Sequence, residues 1–244
     1  MKNHKILFYS VAIVIAIIAV IALANSFIGA GNYVSAWFYV LYNLGYGILL
    51  STLIPLWLIY KEKEGLQSLG FKKIGIRQII VILGFVIFSI GGQMIPLDIS
   101  SINFEVLSLG FVPLVMTTFF EEFLFRGYMQ TRFEKQYGWI FAVLLSGFLF
   151  SIYHLGYPGF RTIVDTLILF AVGIGFALAF KLSGGNVIVS YFVNLPNAFL
   201  TYILKFEQFP AFDNNTPIIA GITIAFIILI LAHYAKNVMK RTVT

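Results

Sequence analysis

The sequence predicts an all-α, polytopic membrane protein: about eight transmembrane helices around a polar intramembrane cavity. Three observations predict it. Hydrophobic residues make up 60% of the 244 and charged residues only 11%. With a mean hydropathy of +0.94, a soluble domain has too little interior to hide so much apolar surface. Eight runs reach or approach the roughly 20 apolar residues needed to cross a bilayer. Finally, the basic residues collect between alternate runs, as a chain threading back and forth requires.

The eight runs lie at about 5–28, 33–60, 77–95, 107–131, 138–156, 162–181, 186–205 and 217–235. With the N-terminus inside, the cytoplasmic pieces carry Lys2, Lys5, Lys61, Lys63, Lys72, Lys73, Arg77, Arg132, Lys135, Lys181, Lys236, Lys240 and Arg241. These are 13 of the 16 Lys and Arg. Arg161 and Lys205 fall outside, and Arg126 lies within a span. An odd number of spans would put the basic tail on the wrong side, so both termini are expected in the cytoplasm, at a cell membrane.

The net charge of +6 is a topology signal rather than a nucleic-acid patch, because it sits at the ends of apolar runs. Membrane lipids are the expected surroundings. Cysteine is absent, which excludes disulfide and thiolate chemistry. No repeat or soluble segment divides the chain, so residues 1–244 read as one integral membrane domain with a core at about 105–205.

Smaller features fit this frame. Ala22-Leu23-Ala24 resembles a signal-peptide cleavage site, but its apolar run is longer than a signal core, so a retained span is expected. The basic stretch Ser68–Gln78 is expected at the cytoplasmic interface. Trp37, Trp57 and Trp139 fall near span ends, as an aromatic belt does. Asn43 with Gly45 and Gly47, and Ala171 with Gly175, are expected helix-packing positions. Arg161 and Asp165 have the spacing of an i, i+4 pair.

The exception to this apolar background is "FFEEFLFRGY", Phe119 to Tyr128. Each charge at a helix centre costs about 2.5–3.5 kcal/mol on insertion scales. Glu122 and Arg126 are at i, i+4 and share a face, so they can pair. Glu121 points about 100° away and has no partner on its own helix; Thr117, one turn earlier, is a weak helper. An unpaired intramembrane carboxylate reads as functional by default. The next run carries His154, with Phe150 one turn before it. A third cluster, Asn186, Ser190, Asn194 and Asn197, surrounds Pro196, which is expected to loosen its helix. These amides either satisfy loosened backbone or point donors into a shared cavity.

A carboxylate near a histidine can hold and deprotonate water, and amides can stabilise the resulting oxyanion. A divalent ion on two Glu and one His is the rival arrangement. There is no HExxH and no second embedded His, so the reading takes no metal and no cofactor. No GxSxG, P-loop or GxGxxG is present.

"EEFLFRGYMQTRFEKQYG" followed by "FSIYH" resembles the first two motifs of the CAAX protease and bacteriocin-processing (CPBP, or Abi) family. These are EExxxR (Glu121, Glu122, Arg126) and FxxxH (Phe150, His154). The resemblance is sharpest over roughly 115–200. It implies an intramembrane glutamate endopeptidase acting on a peptide or lipidated peptide, with CAAX tails and bacteriocin-related peptides as the classes served. It further implies that Glu121 and His154 activate water and that Glu122 and Arg126 support them.

The family's third motif, HxxxN, departs here. In one frame Asn194 takes the His position and Ala198 the Asn position, with Asn197 one residue short. In the other, Ser190 and Asn194 fill the frame. The second His is missing in both. Asn194 is therefore taken with Glu121, Glu122, Arg126 and His154 as catalytic, and Ser190, Asn197 and Phe150 are the candidates for contacting substrate or oxyanion. The alternative is a catalytically weak or inactive member that binds a membrane peptide or serves bacteriocin self-immunity. A proton relay or transporter is a third class, weakened by the lack of paired broken helices. The oligomeric state is not legible.

One geometric tension accompanies the Glu121–His154 pairing. Counted from the expected cytoplasmic span ends, Glu121 lies about 15 Å deep and His154 about 24 Å.

Overall fold

The computed structural model describes residues 5–27, 39–94, 103–204 and 214–242. Within them the chain is helical, without strands. Each predicted run becomes one long helix. These are α1 (Lys5–Ser26), α2 (Val40–Lys61), α3 (Ile76–Met94), α4 (Phe104–Tyr137), α5 (Trp139–Tyr153), α6 (Ile163–Leu182), α7 (Val187–Leu204) and α8 (Thr216–Thr242). Six of the eight are long and apolar enough to cross a membrane. The apolar stretches of α3 and α7, Ile76–Gly91 and Val187–Tyr202, are shorter. Trp37 lies outside the described residues.

The helices divide their faces between lipid and protein. In α1, Ser10, Ile13, Val14, Ile17, Ile21 and Ala24 form a buried stripe at helical spacing, while Phe8, Ile15 and Leu23 face outward. Ile76, Ile80, Ile87 and Phe88 of α3 are likewise exposed, as lipid-facing residues are in a membrane bundle.

Small residues set the close approaches. A Cβ at Gly47 would fall 2.0 Å from the Phe120 ring, which fixes α2 against α4. Gly147 and Gly173 bring α5 and α6 into backbone contact: a Cβ at Gly173 would meet the Gly147 carbonyl oxygen at 2.9 Å. The packing face of α6 is thus at Gly173 rather than Gly175, whose Cβ would meet nothing within 4 Å. Asn43 serves packing as expected, donating to Thr223 Oγ1 of α8 at 3.2 Å.

Two helices are not wound uniformly. Val40–Leu53 of α2 and Glu122–Gln130 of α4 adopt the wider i→i+5 winding, a form that tends to occur at functional sites. In α4 the change of winding falls between Glu121 and Glu122. α7 runs unbroken through Pro196.

The predicted end of α4 is too early. α4 continues past 131 to Tyr137 and turns at Gly138, which adopts φ +84°. Glu121 and His154 are then nearly equal numbers of residues from that turn, on antiparallel neighbours. This removes the depth mismatch.

The loops that charge counting assigns to one face do meet at one end of the bundle. Lys72 Nζ donates to the Gly184 carbonyl (2.6 Å), Arg77 Nε to Leu182 (3.1 Å) and Gln78 Nε2 to Ser183 (2.9 Å). Part of the basic Ser68–Gln78 stretch therefore caps the end of α6, where cations and donors satisfy the last carbonyls. Gly70, at φ +84°, lets its carbonyl accept from Val187 N at 2.9 Å. At the other end Thr162 caps α6, accepting from Asp165 N at 3.0 Å.

Candidate functional site

Helix α4 brings its three charged residues into the interior from one continuous segment. Arg126 Nη1 donates to Glu122 Oε1 at 3.2 Å, and neither side chain is more than 1% exposed. The i, i+4 pairing survives the wider winding. Arg126 Nη2 donates to the Gly173 carbonyl at 2.9 Å. The guanidinium also lies over the Phe150 ring, 4.5 Å from its centroid. Phe150 thus braces the arginine, as cation–π geometry allows. The small residue at 173 serves twice: it admits α5, and it leaves its own carbonyl open to Arg126.

Glu121 has no partner on its own helix, as the sequence implies, and finds its partners on two others. The Tyr153 hydroxyl of α5 donates to Oε1. Asn194 Nδ2 of α7 donates to Glu121 Oε2 and to Glu122 Oε1, each at 2.8 Å. Asn194 therefore bridges the two carboxylates, and both of its amide hydrogens are used. Tyr153 was not among the sequence candidates. Its signal was present, because a tyrosine inside an apolar span must find a partner for its hydroxyl.

His154 sits in a short 3₁₀ turn that extends α5, His154–Gly156. Its Nδ1 is 2.8 Å from the Phe150 carbonyl. A carbonyl only accepts, so Nδ1 carries the hydrogen and Nε2 keeps its lone pair. The imidazole lies against Tyr153, with ring centroids 4.1 Å apart. FxxxH is thus one structural unit: Phe150 braces Arg126 with its ring and orients His154 with its carbonyl.

The remaining candidates take other positions. The Ser190 hydroxyl stands beside Glu122 and donates to its own helix, at the Val187 carbonyl, 3.0 Å. Asn197 Oδ1 accepts from Ser89 of α3 at 2.9 Å. Asn186 Nδ2 holds the Lys72 and Lys73 carbonyls, each at 3.2 Å. Of the third cluster, Asn194 is the residue that donates to both glutamates. Thr117 contacts Tyr42 rather than Glu121, with the hydroxyls 3.3 Å apart.

Glu121, His154 and Asn194 line one cavity with about 100 Å³ of space reachable by water centres. Its other walls include Tyr42, Tyr153, Tyr157, Phe160 and Asn197. A single water needs only about 10–15 Å³ by that measure, so water and part of a peptide both have room. The cavity surface is mostly apolar, with Glu121, His154, Asn194 and several tyrosine and threonine side chains set into it, and such a mixture is usual for a ligand site. Among the described residues, no group of three or more His, Asp or Glu gathers in a way that could hold a metal ion.

Residues 103–195 match the family model described as type II CAAX prenyl endopeptidase, Rce1-like. The segment includes Glu121, Glu122, Arg126, Phe150, His154 and Asn194. The resemblance carried by EExxxR and FxxxH therefore agrees with an independent comparison. No curated protein and no solved structure matches the chain.

Proposed function

We propose that this multi-pass membrane protein is a CAAX-type intramembrane endopeptidase that hydrolyses a membrane-presented peptide with a water activated by Glu121. The observation that carries the proposal is a division of labour between adjacent carboxylates. Glu122 is tied to Arg126, whereas Glu121 faces the cavity shared with His154. Each Glu121 oxygen accepts one hydrogen bond and keeps lone-pair capacity for another.

A water in this cavity meets two acceptors, Glu121 and His154 Nε2. It gives one hydrogen bond to each and turns its own lone pair toward a scissile carbonyl. The water oxygen bonds to the carbonyl carbon, its proton passes to Glu121, and the carbonyl electrons become an oxyanion. When the intermediate collapses, the C–N bond breaks and Glu121 returns the proton to the leaving amine. Arg126 and Glu122 keep the site's shape and charge fixed while this happens. Asn194 and Tyr153 hold the Glu121 carboxylate in place.

A second reading rests on Asn194. In either frame of the third motif the second histidine is missing, and an Asn194 amide occupied by two carboxylates offers no free donor, which favours a slow or purely binding member serving peptide sequestration or bacteriocin self-immunity. One experiment separates the two. Purified protein and its Glu121→Ala variant are incubated with quenched peptides, farnesylated and unmodified, with and without a chelator. Cleavage that is lost in the variant and survives the chelator supports glutamate-activated water. Peptide binding without cleavage supports sequestration, and cleavage lost to the chelator points to a metal.

A further inference from the structure

The hydrolysis proposed above requires a hydrogen-bond donor for the oxyanion, and the residues expected to supply it are occupied. Both Nδ2 hydrogens of Asn194 go to Glu121 and Glu122. His154 carries its proton on Nδ1, directed at the Phe150 carbonyl. Tyr153 donates to Glu121, and Ser190 donates to Val187. These expected donors are therefore engaged, and Asn197, the remaining candidate in the cavity wall, is tied to Ser89 of α3.

Tyr157 answers this need. It follows His154 by one 3₁₀ turn, whose backbone bond runs from Tyr157 N to the His154 carbonyl at 2.8 Å. Residues three apart in that winding lie on one side, and the two rings stand 5.9 Å apart in the cavity wall. Its hydroxyl oxygen is 2.6 Å from that of Tyr42, which is 3.3 Å from Thr117 Oγ1. When the hydroxyls donate in the order Thr117, Tyr42, Tyr157, the Tyr157 proton is left for a ligand, and each bond polarises the next.

Resting on that hydrolytic reading, we infer that Tyr157 supplies the oxyanion hydrogen bond in this chain, taking the role of the missing histidine. Such a donor acts in the transition state and little in substrate binding.

The test compares wild type, Tyr157→Phe, Tyr42→Phe and Glu121→Gln, each confirmed folded by its melting profile. Cleavage is measured together with binding of a non-cleavable phosphinate peptide, which mimics the charged tetrahedral species. Tyr157→Phe is expected to lower kcat about 10²–10³-fold with little change in KM. It should weaken phosphinate binding strongly while leaving binding of the matched amide peptide in the Glu121→Gln background unaffected. Tyr42→Phe should show a smaller loss in the same direction. A Tyr157→Phe enzyme at wild-type rate, beside an inactive Glu121→Gln, overturns the inference and leaves the hydrolytic reading standing. A wild type that cleaves nothing overturns the hydrolytic reading. The phosphinate then decides the inference by itself: selective loss in Tyr157→Phe supports the donor, and equal or absent binding removes it.

Discussion

Arg126 and Arg132 lie on one helix, each with two glutamates close by, and the two sets differ in nearly everything else. Arg126 is enclosed with Glu122 and Glu121 among α4, α5, α6 and α7, and its Nε has no hydrogen-bond partner among the described residues. Arg132 is itself buried, but its partners are at the bundle end: Glu62 at 3.1 Å is 47% exposed, and Glu64 at 2.7 Å is 27% exposed. Lys135 and the Tyr234 hydroxyl join Glu64 as well, through its carboxylate and its backbone carbonyl respectively. The outer set ties the ends of α2, α4 and α8 together with groups that water can reach. The inner set takes charges out of water, where the desolvation penalty can exceed the attraction. A structural clamp has no need of that penalty, whereas a carboxylate that acts on a substrate inside the bundle must bear it. The contrast is the physical case for chemistry at the inner set.

The largest expected effect comes from Glu121→Gln. This near-isosteric change should lower cleavage by about 10²–10⁴-fold, the usual worth of a general base, with the melting temperature little changed. Glu64→Gln should leave the rate nearly intact. Equal losses from the two substitutions would erase the distinction between the sets.

Arg126→Ala comes next. It strands Glu122 in the interior and should destabilise the protein by about 3–5 kcal/mol, measured by denaturant unfolding in mixed micelles. The double change Glu122→Leu with Arg126→Met should recover most of that stability without restoring activity. Recovery of both would make the pair dispensable.

A smaller effect is expected for Asn194→Ala, which removes one donor from each of two buried carboxylates. The stability loss should be about 1–3 kcal/mol, accompanied by lower activity.

The smallest effect belongs to the outer set and depends on pH. Burial works against ionising Glu64, but Lys135, Ser68 and Arg132 outweigh it and hold the carboxyl below its ordinary value of 4.5. A group whose folded value is lowered contributes stability above its unfolded value and loses it as pH falls through the folded one. The outer set should therefore weaken below about pH 4.5, by no more than about 1 kcal/mol given its exposure. Glu64→Gln should flatten that part of the acid-stability curve. An undiminished acid transition in that variant would assign it to other groups.

The fold was readable in proportion to how local its signals are. Apolar run length and charge spacing located the eight long helices of the described residues, six of them long and apolar enough to cross a membrane, with errors at the ends where composition changes gradually. α4 was cut short because "TRFEKQY" is polar, although helix continues through it to Gly138. Glu121, Glu122, Arg126 and His154 stood out because polar groups in an apolar run are conspicuous, and i, i+4 spacing disclosed the Glu122–Arg126 ion pair. Asn194 stood out too, but its bridging of both glutamates did not.

The sequence by itself determined the helices, the ends that carry positive charge, and which side chains are too polar for their surroundings. Tertiary structure decided what those side chains meet: Tyr153 and Asn194 on Glu121, the Gly173 carbonyl on Arg126, Tyr42 against Tyr157, and Arg132 between Glu62 and Glu64. The reason is geometric. Periodicity fixes where a residue lies around its own helix, but contacts between helices depend on rotation, depth and crossing. Those were set here by close approaches at Gly47, Gly147 and Gly173 and by the wider winding that begins at Glu122, none of which a hydropathy pattern records.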